Sequence, residues 1–347
     1  MKKFVTIATM LLCAAMLFAS CAKPAADAAS PALPSQGGQP SKEAEESYRI
    51  GVVQYATHPS LDNCYDGFVQ GLAEEGIQEG KNLAIEFQNA QGESTNADMQ
   101  AKNMVTSGYD MLCGIATPAA MSCYSAAKES GTPVIFSAVS DPVAAGIVKS
   151  LEQPGSVATG TADSLNLDGQ MKMIRAFLPE AKKIGIIYTT SEPNSVTHLA
   201  KFQELAPNYG FEIKAVGVTN ASEVGTAAAA LIADGVDCIN NFTDNNVVDN
   251  LSVVLHAANE AKIPVFGSEE EQVKNGCLAS ESLNYVELGK QTGRMAAKVL
   301  KGEAKPEELK VSVIAASTPV YNQSVMEALG LTLPADYASA AEVSAAQ

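Results

Sequence analysis

The sequence predicts an α/β protein of two doubly wound parallel-sheet lobes joined by a multi-strand hinge. Three observations carry this reading. The first is an internal echo: Arg49–Ser60 is matched by Lys183–Asn194, Tyr109–Pro118 by Val236–Asn245, and Pro133–Ser137 by Pro264–Ser268, in the same order. Each match is a short apolar run ending in small polar residues, the pattern of a buried parallel strand running into a loop or helix start. The second is the alternation of strand-like and helix-like stretches, which calls for parallel sheets covered by helices on both faces. The third is length: about 300 residues follow the N-terminal segment, enough for two domains of ordinary size.

The chain begins with Lys2 and Lys3, an apolar stretch from Phe4 to Phe18, and Ala19-Ser20 before Cys21. Residues 1–20 therefore read as a secretory signal peptide, too short for a stable membrane span. Leu17-Phe-Ala-Ser-Cys21 resembles a bacterial lipobox, with Phe18 where Leu is usual. That resemblance implies lipidation of Cys21, with plain secretion as the alternative. A diacylated cysteine would hold the protein on a membrane surface without spanning it. Residues 21–47 then form the lipidated cysteine and a flexible tether, because a stretch rich in Ala, Pro, Ser, Gly and Gln cannot bury enough apolar surface to order itself.

In the first lobe, strands are predicted near 49–54, 83–87, 110–116 and 133–139. Leu61, Cys64, Tyr65, Phe68, Val69 and Leu72 recur at helical spacing, with Gly76 as terminator. Further helices are predicted at 96–107 and 119–130. The second lobe has strands near 184–189, 212–218, 236–242, 264–267 and 277–281, and helices at 166–178, 195–209, 221–234 and 246–261. The amphipathic stretch Tyr285–Lys301 has no evident place in the second sheet. It reads as a crossover to the first lobe, with a return near Ile314–Tyr321. The lobes expected are 48–161 plus 282–313 and 162–281 plus 314–334, with residues 335–347 as an Ala/Ser/Glu-rich tail that frays. Several crossing strands would act as a hinge for closure around a ligand.

Thirty-nine acidic residues stand against 23 basic ones, a net charge of −16. Removal of Lys2 and Lys3 with the leader takes it to about −18, and such a surface repels phosphate backbones, so nucleic-acid binding is not expected. Cys64, Cys113, Cys123, Cys238 and Cys277 are irregularly spaced with no Cys-x-x-Cys pair, which supports neither a zinc site nor a disulfide framework. They read as buried reduced thiols, with one disulfide as an alternative. No metal and no cofactor is expected. The three histidines, His58, His198 and His256, have no nucleophile-and-acid setting, and there is neither a phosphate-binding Gly-x-Gly-x-x-Gly nor a Walker A sequence. An enzyme is not expected.

Ligands of open α/β sheets sit at the carboxyl ends of the strands. There, Thr57-His58-Pro59-Ser60 leads into the first helix, and Ala116-Thr117-Pro118-Ala119 and Ser137–Pro142 repeat the design of strand end, hydroxyl and proline. Backbone donors and hydroxyls at adjacent helix starts suit a carboxylate, with Ser60, Thr117 and Ser137 supplying hydroxyls and His58 stacking on or bonding to the ligand. The second lobe differs at the matching places: Asp244 stands where the first lobe has Thr117. A buried acid there would be satisfied by a ligand ammonium, or would simply cap the next helix. Ser191, Asn194 and Ser195 add hydrogen-bonding groups, and Ser268-Glu269 and Ser280-Glu281 are weaker candidates near the hinge. Carboxylate acceptors on one lobe and an ammonium acceptor on the other describe an amino acid. Tyr55 and Phe136 could meet a large apolar side chain. The chain has no Trp, which argues against a sugar site of stacked indoles.

Taken together, Ile50–Asp62, Gly114–Ala119, Ser140–Pro142, Tyr188–Ser195 and Thr243–Asn245 resemble the type I substrate-binding lipoproteins of ABC transporters, in particular those of tryptophan and tyrosine uptake. The resemblance covers nearly all of 48–333. It implies a monomer that captures a small zwitterion, an aromatic or large apolar amino acid, and delivers it to a membrane permease with a cytoplasmic ATPase. Alternatives are a ligand-presenting sensor, or a binding protein for another small polar solute such as a sugar or nucleoside.

Overall fold

The computed structural model describes residues 47–344. The expected signal peptide, Cys21 and nearly all of the tether lie outside the described residues. The strands are β1 Tyr48–Gln54, β2 Leu83–Asn89, β3 Met111–Ile115, β4 Val134–Ser137, β5 Ala158–Asp163, β6 Lys183–Thr189, β7 Glu212–Val218, β8 Cys238–Asn240, β9 Val265–Phe266, β10 Ala279–Ser282, β11 Ser312–Ile314, β12 Thr318–Tyr321 and β13 Ala341–Glu342. The α-helices are α1 Pro59–Glu74, α2 Ser94–Thr106, α3 Thr117–Ala127, α4 Leu167–Phe177, α5 Pro193–Leu205, α6 Val224–Ala233, α7 Asn245–Asp249, α8 Leu251–Glu260, α9 Glu270–Lys274, α10 Tyr285–Leu300 and α11 Gln323–Ala328.

The first sheet runs β11-β5-β4-β3-β1-β2 and is parallel throughout. The second runs β7-β6-β8-β9, also parallel. Both wind in the same order, so the echoed runs fall at matching places: β1 with β6, β3 with β8, β4 with β9. The second sheet continues into β10, whose approach is tied to β9 by Leu278 N–H donating to Val265 O at 2.7 Å and Gly267 N–H to Ala279 O at 3.0 Å. β10 then pairs antiparallel with β12. Three segments cross between the lobes, from β5 to α4, from β10 to α10, and from β11 to β12.

The apolar runs do what their period predicts. Ile50, Val52 and Val53 of β1 and Leu112, Cys113 and Ile115 of β3 are buried, and they pack with Phe68 and Leu72 of α1 and Met104 of α2 into one core. The second sheet is covered on two faces. Phe177, Phe202, Phe242 and Phe266 lie on one, and Val224, Leu231, Val254 and Leu255 on the other. All five described cysteines beyond the leader are buried and free.

Four features depart from the sequence reading. β5 was not expected, because Ala158-Thr-Gly-Thr-Ala-Asp163 has no apolar run. Its buried threonines are satisfied inside the lobe, Thr159 Oγ1 donating to Leu309 O at 2.6 Å and Thr161 Oγ1 lying 2.7 Å from Thr292 Oγ1. The helix expected over 246–261 is two helices, α7 and α8, parted at Asn250, where φ is −108° and ψ 20°. The short helix α9 was not read at all. The tail expected to fray after 334 is ordered to 344: the Tyr337 ring packs 6.2 Å from Phe177, and β13 pairs with β12.

α1 and α10 approach through facing glycines, Gly67 and Gly71 on one and Gly289 and Gly293 on the other. A Cβ at Gly67 or Gly71 would collide with the carbonyl oxygens of Val286 or Lys290, and one at Gly289 or Gly293 with those of Cys64 or Phe68. Backbone against backbone cannot relax by a rotamer change. Gly71→Val should therefore cost about 3 kcal/mol and lower Tm by roughly 6–12 °C in a calorimetric scan. An unchanged Tm would mean that the two helices slide apart freely. The contact also matters for the site, because α1 begins at the cleft and α10 begins at the hinge.

Candidate functional site

In each sheet the strand order reverses beside its first strand, between β1 and β3 and between β6 and β8. A crevice opens at such a switch point, outside the carboxyl ends of the strands. α1 and α3 start there in the first lobe, α5 and α7 in the second. The two crevices face each other across a cavity. The first lobe lines it with His58, Leu61, Ala116, Thr117, Ala138, Ser140 and Asp163, and the second with Asn194, Thr243, Asn245 and Glu269, while Tyr285 enters from the start of α10.

The lobes are closed on one another. Ser60 Oγ donates to Glu269 Oε2 at 2.5 Å, Asn63 Nδ2 donates to Glu271 Oε1 at 3.2 Å, and His58 Nε2 lies 3.4 Å from Asn245 Oδ1. Lys201 pairs with Asp141 at 3.6 Å across the same gap. The open space left inside is about 10 Å³, about one water's worth, so a larger ligand enters only when the hinge opens. A wider space of about 410 Å³ lies at the mouth, bordered by Tyr55, Ser94, Ser191 and Asn246.

On the first-lobe side, α1 and α3 each carry a proline in the first turn and have no side-chain cap. Asn166 caps α4, Asn284 caps α10, Asn322 caps α11 and Asp244 caps α7, whereas α2, α5, α6, α8 and α9 have no side-chain cap either. The uncapped starts of α1 and α3 leave backbone N–H groups and the positive end of the helix dipole directed at the cavity, the requirement of an anion. Ala116 turns the chain sharply into α3 with φ at 77°, which places Thr117 on the cavity wall.

Two carboxylates stand against this. Asp163 accepts from Ser140 Oγ at 3.2 Å and from Tyr285 O–H at 3.1 Å. Burial pushes its pKa up to about 6, against the lowering effect of those bonds. Glu269 is pushed up to about 7, first by burial and further by the charge on Asp163, while the Ser60 bond opposes the rise. Among the described residues, no lysine or arginine lines the cavity. His58 supplies no charge either, since burial lowers its pKa to about 4. The site therefore holds anion-seeking donors at the helix starts together with one acid from each lobe, Asp163 and Glu269, neither with a counter-charge in the cavity.

A second acidic pair lies behind the second-lobe wall. Asp244 takes Thr189 N–H at 2.6 Å, Thr189 O–H at 2.7 Å and Val247 N–H at 3.0 Å. Glu192 takes Asn245 N–H at 3.1 Å and Asn245 Nδ2 at 2.6 Å, and its pKa is raised, mainly by burial and then by the nearby Asp244 charge.

The sequence-predicted residues thus divide. His58, Thr117 and Asn194 line the cavity, and Ser60 touches it through Glu269. Tyr55 and Ser191 border the mouth instead. Ser195 is buried with its Oγ unpartnered. Ser137 is turned away, accepting from Thr292 Oγ1 at 3.0 Å, and Ala138 and Ser140 take its place on the wall. Asp244 caps α7 and ties it to β6, the alternative its position allowed, with donors all from the backbone or Thr189. Asp244→Asn should accordingly cost about 1–3 kcal/mol of stability, because an amide presents N–H to donors that need an acceptor. A variant with unchanged Tm in thermal denaturation would contradict this. Asp163 was missed because β5 was missed. The strand-end rule that found Thr117 finds Asp163 once that strand is recognised. Thr243 and Asn245 had a signal only in the motif that carried the family resemblance, and Tyr285 had none as a site residue.

The sequence profile of the ABC transporter substrate binding protein family matches residues 49–344. The chain belongs to this family. It is similar to a tyrosine-binding protein of Clostridioides difficile, 36% identical over 289 residues that cover 83% of each chain. An ABC domain from Streptococcus pneumonia, solved in complex with L-Trp, is 34% identical and superposes with a TM-score of 0.83 over 86% of this chain and all of that one. A ligand-free, open substrate-binding protein with adhesive properties from Clostridium difficile is 35% identical with the same coverage, yet its TM-score is 0.65. At equal identity, the lobes here are set more as in the tryptophan complex than as in the open form, which agrees with the hydrogen bonds across the cleft. Among the described residues, no helix is long and apolar enough to cross a membrane.

Proposed function

We infer that this substrate-binding protein captures an aromatic amino acid between its lobes and delivers it, chemically unchanged, to an ABC permease and its ATPase. One observation carries the reading: a closed cavity that joins the uncapped starts of α1 and α3 to two acids, Asp163 from the first lobe and Glu269 from the second, with no cationic partner for either among its lining residues. A zwitterion completes both at once. The carboxylate meets the starts of α1 and α3 with Thr117, and the ammonium meets Asp163 and Glu269. The aromatic class is supported by the tyrosine-binding relative and the relative solved with L-Trp. The reading extends to export by residues 1–20, lipid attachment at Cys21, a tether that lets the body reach the permease, and action as a monomer.

A thermal-shift screen of the mature protein against amino acids, sugars and nucleosides tests it. Tyrosine or tryptophan at a hundred times its dissociation constant should add about 2.7 kcal/mol and raise Tm by roughly 5–10 °C. A shift with sugars or nucleosides and none with aromatic amino acids would overturn the reading.

A further inference from the structure

The second-lobe wall of the cavity holds an acceptor whose direction is fixed and which has no partner. Asn194, 4% exposed, starts α5 and lines the cavity. Its Nδ2 donates to Thr243 O at 3.0 Å and to Glu192 Oε2 at 3.2 Å. Both partners are acceptors, so flipping the amide would set Oδ1 against two lone pairs and orphan both contacts. Oδ1 is therefore held in place, buried, with no hydrogen bond, and Oγ1 of Thr243, the residue whose carbonyl holds Nδ2, is unpartnered as well. A buried acceptor left unsatisfied costs about 1–3 kcal/mol, and a ligand that brings a donor removes that cost.

The donor is not the ligand's ammonium, because the acid beside Asn194, Glu192, is already taken by Asn245 N–H, Asn245 Nδ2 and Asn194 Nδ2 and does not line the cavity, whereas Asp163 and Glu269 do. Asp163, held by Ser140 and Tyr285, lies close enough to act on Glu269, which Ser60 holds. Asn194 belongs with Glu192, Asn245 and Thr243, a group built from the starts of α5 and α7 in the second lobe. With the carboxylate at the starts of α1 and α3 and the ammonium at Asp163 and Glu269, the ligand's side chain is the part left to face Asn194. Resting on the functional reading above, we propose that Asn194 sets side-chain specificity, its Oδ1 accepting the phenol O–H or indole N–H at the far end of an aromatic side chain. The site then selects tyrosine or tryptophan over phenylalanine. A site that hydrogen-bonds a ligand donor rejects the analogue lacking it far more strongly than an apolar pocket rejects a change of size.

Calorimetric titration with tyrosine, tryptophan, phenylalanine and 4-fluorophenylalanine tests this on the wild-type protein and on Asn194→Leu. The wild type should bind tyrosine or tryptophan at least about 100-fold more tightly than phenylalanine and 4-fluorophenylalanine. The fluoro compound matters because it matches the reach of tyrosine without the donor. Asn194→Leu should bring that ratio below about tenfold, by weakening the donor-bearing ligand and sparing phenylalanine. Phenylalanine or the fluoro compound binding the wild type as tightly as the preferred ligand would overturn the proposal and leave the functional reading standing. So would a variant that keeps the full ratio. No binding of any of the four would overturn both. Should Asn194→Leu fail to fold, the wild-type comparison of tyrosine with its fluoro analogue decides alone.

Discussion

Glu269→Gln is expected to weaken capture of an amino acid by about 100-fold or more, and Asp163→Asn by a similar factor. Each carboxylate lies in a cavity that no lysine or arginine lines among the described residues. If the ligand's ammonium is their counter-charge, removing one acid strips a buried ion pair of its partner, a loss of about 3 kcal/mol or more. The same substitution has the opposite effect on the ligand-free protein. Burial disfavours both carboxylates there, since their pKa values stand at about 6 for Asp163 and about 7 for Glu269. A neutral amide of the same shape removes that penalty, so the ligand-free Tm of Glu269→Gln should stay level or rise while affinity collapses. Titration calorimetry together with a thermal scan separates the two effects. An acid that served only the fold would lower Tm and leave affinity nearly alone. That result would move the ammonium site elsewhere.

How much of this was written in the chain follows from which physical signals are local. The apolar period of β1, β3, β6 and β8 and the helical spacing of Leu61, Cys64, Phe68 and Leu72 are local, and the two lobes follow from them. The strand-end rule then pointed to His58, Thr117 and Asn194. β5 was hidden because it is held by threonine hydroxyls that reach Leu309 and Thr292, residues far along the chain. Asp163 was lost with it. Asp244 stands between two readings in the sequence, ammonium acceptor and helix cap, for a related reason. A buried acid at a strand end looks the same in sequence whether it awaits a ligand or already holds three donors, and only the partners Thr189 and Val247 distinguish the cases. Ser137 and Ser140 show the limit at finer scale. Both are hydroxyls three residues apart beside the same strand end, and the positive φ of 55° at Ala138 between them sends one inward to Thr292 and leaves the other on the cavity wall.

Acid should close the ligand-free protein and weaken ligand binding, two responses of opposite sign from the same pair of groups. In the closed form Asp163 and Glu269 hold protons more tightly than in water, each by about 2 pKa units, or about 3 kcal/mol. The groups facing them are Ser140 and Tyr285 on Asp163, and Ser60, Gln272 and Glu271 on Glu269. Burial drives the pKa values of Tyr285 and the neighbouring Cys64 up, and that of His58 down to about 4, so none of the three titrates in the window between the ordinary carboxylate range and about 7. A state that binds more protons than its alternative gains stability as pH falls. Closure of the empty cleft is therefore favoured at about pH 5, where both acids are neutral. It is opposed at about pH 8, where two unpaired charges would be buried and the hinge relieves them by opening. For the ligand the order reverses, because an ammonium pairs only with ionised acids, and each proton displaced on binding makes affinity rise about tenfold per pH unit until the acid is ionised without it. Between about pH 5 and about pH 7 the affinity for an aromatic amino acid should climb by about 100-fold, while the ligand-free radius of gyration in solution scattering grows over the same range. Calorimetry in buffers of different ionisation enthalpy should show proton release on binding near neutral pH. Flat affinity across the window, or a ligand-free protein equally open at both ends of it, would mean that the cavity acids are not the counter-charge of the ligand and that closure does not bury them unpaired.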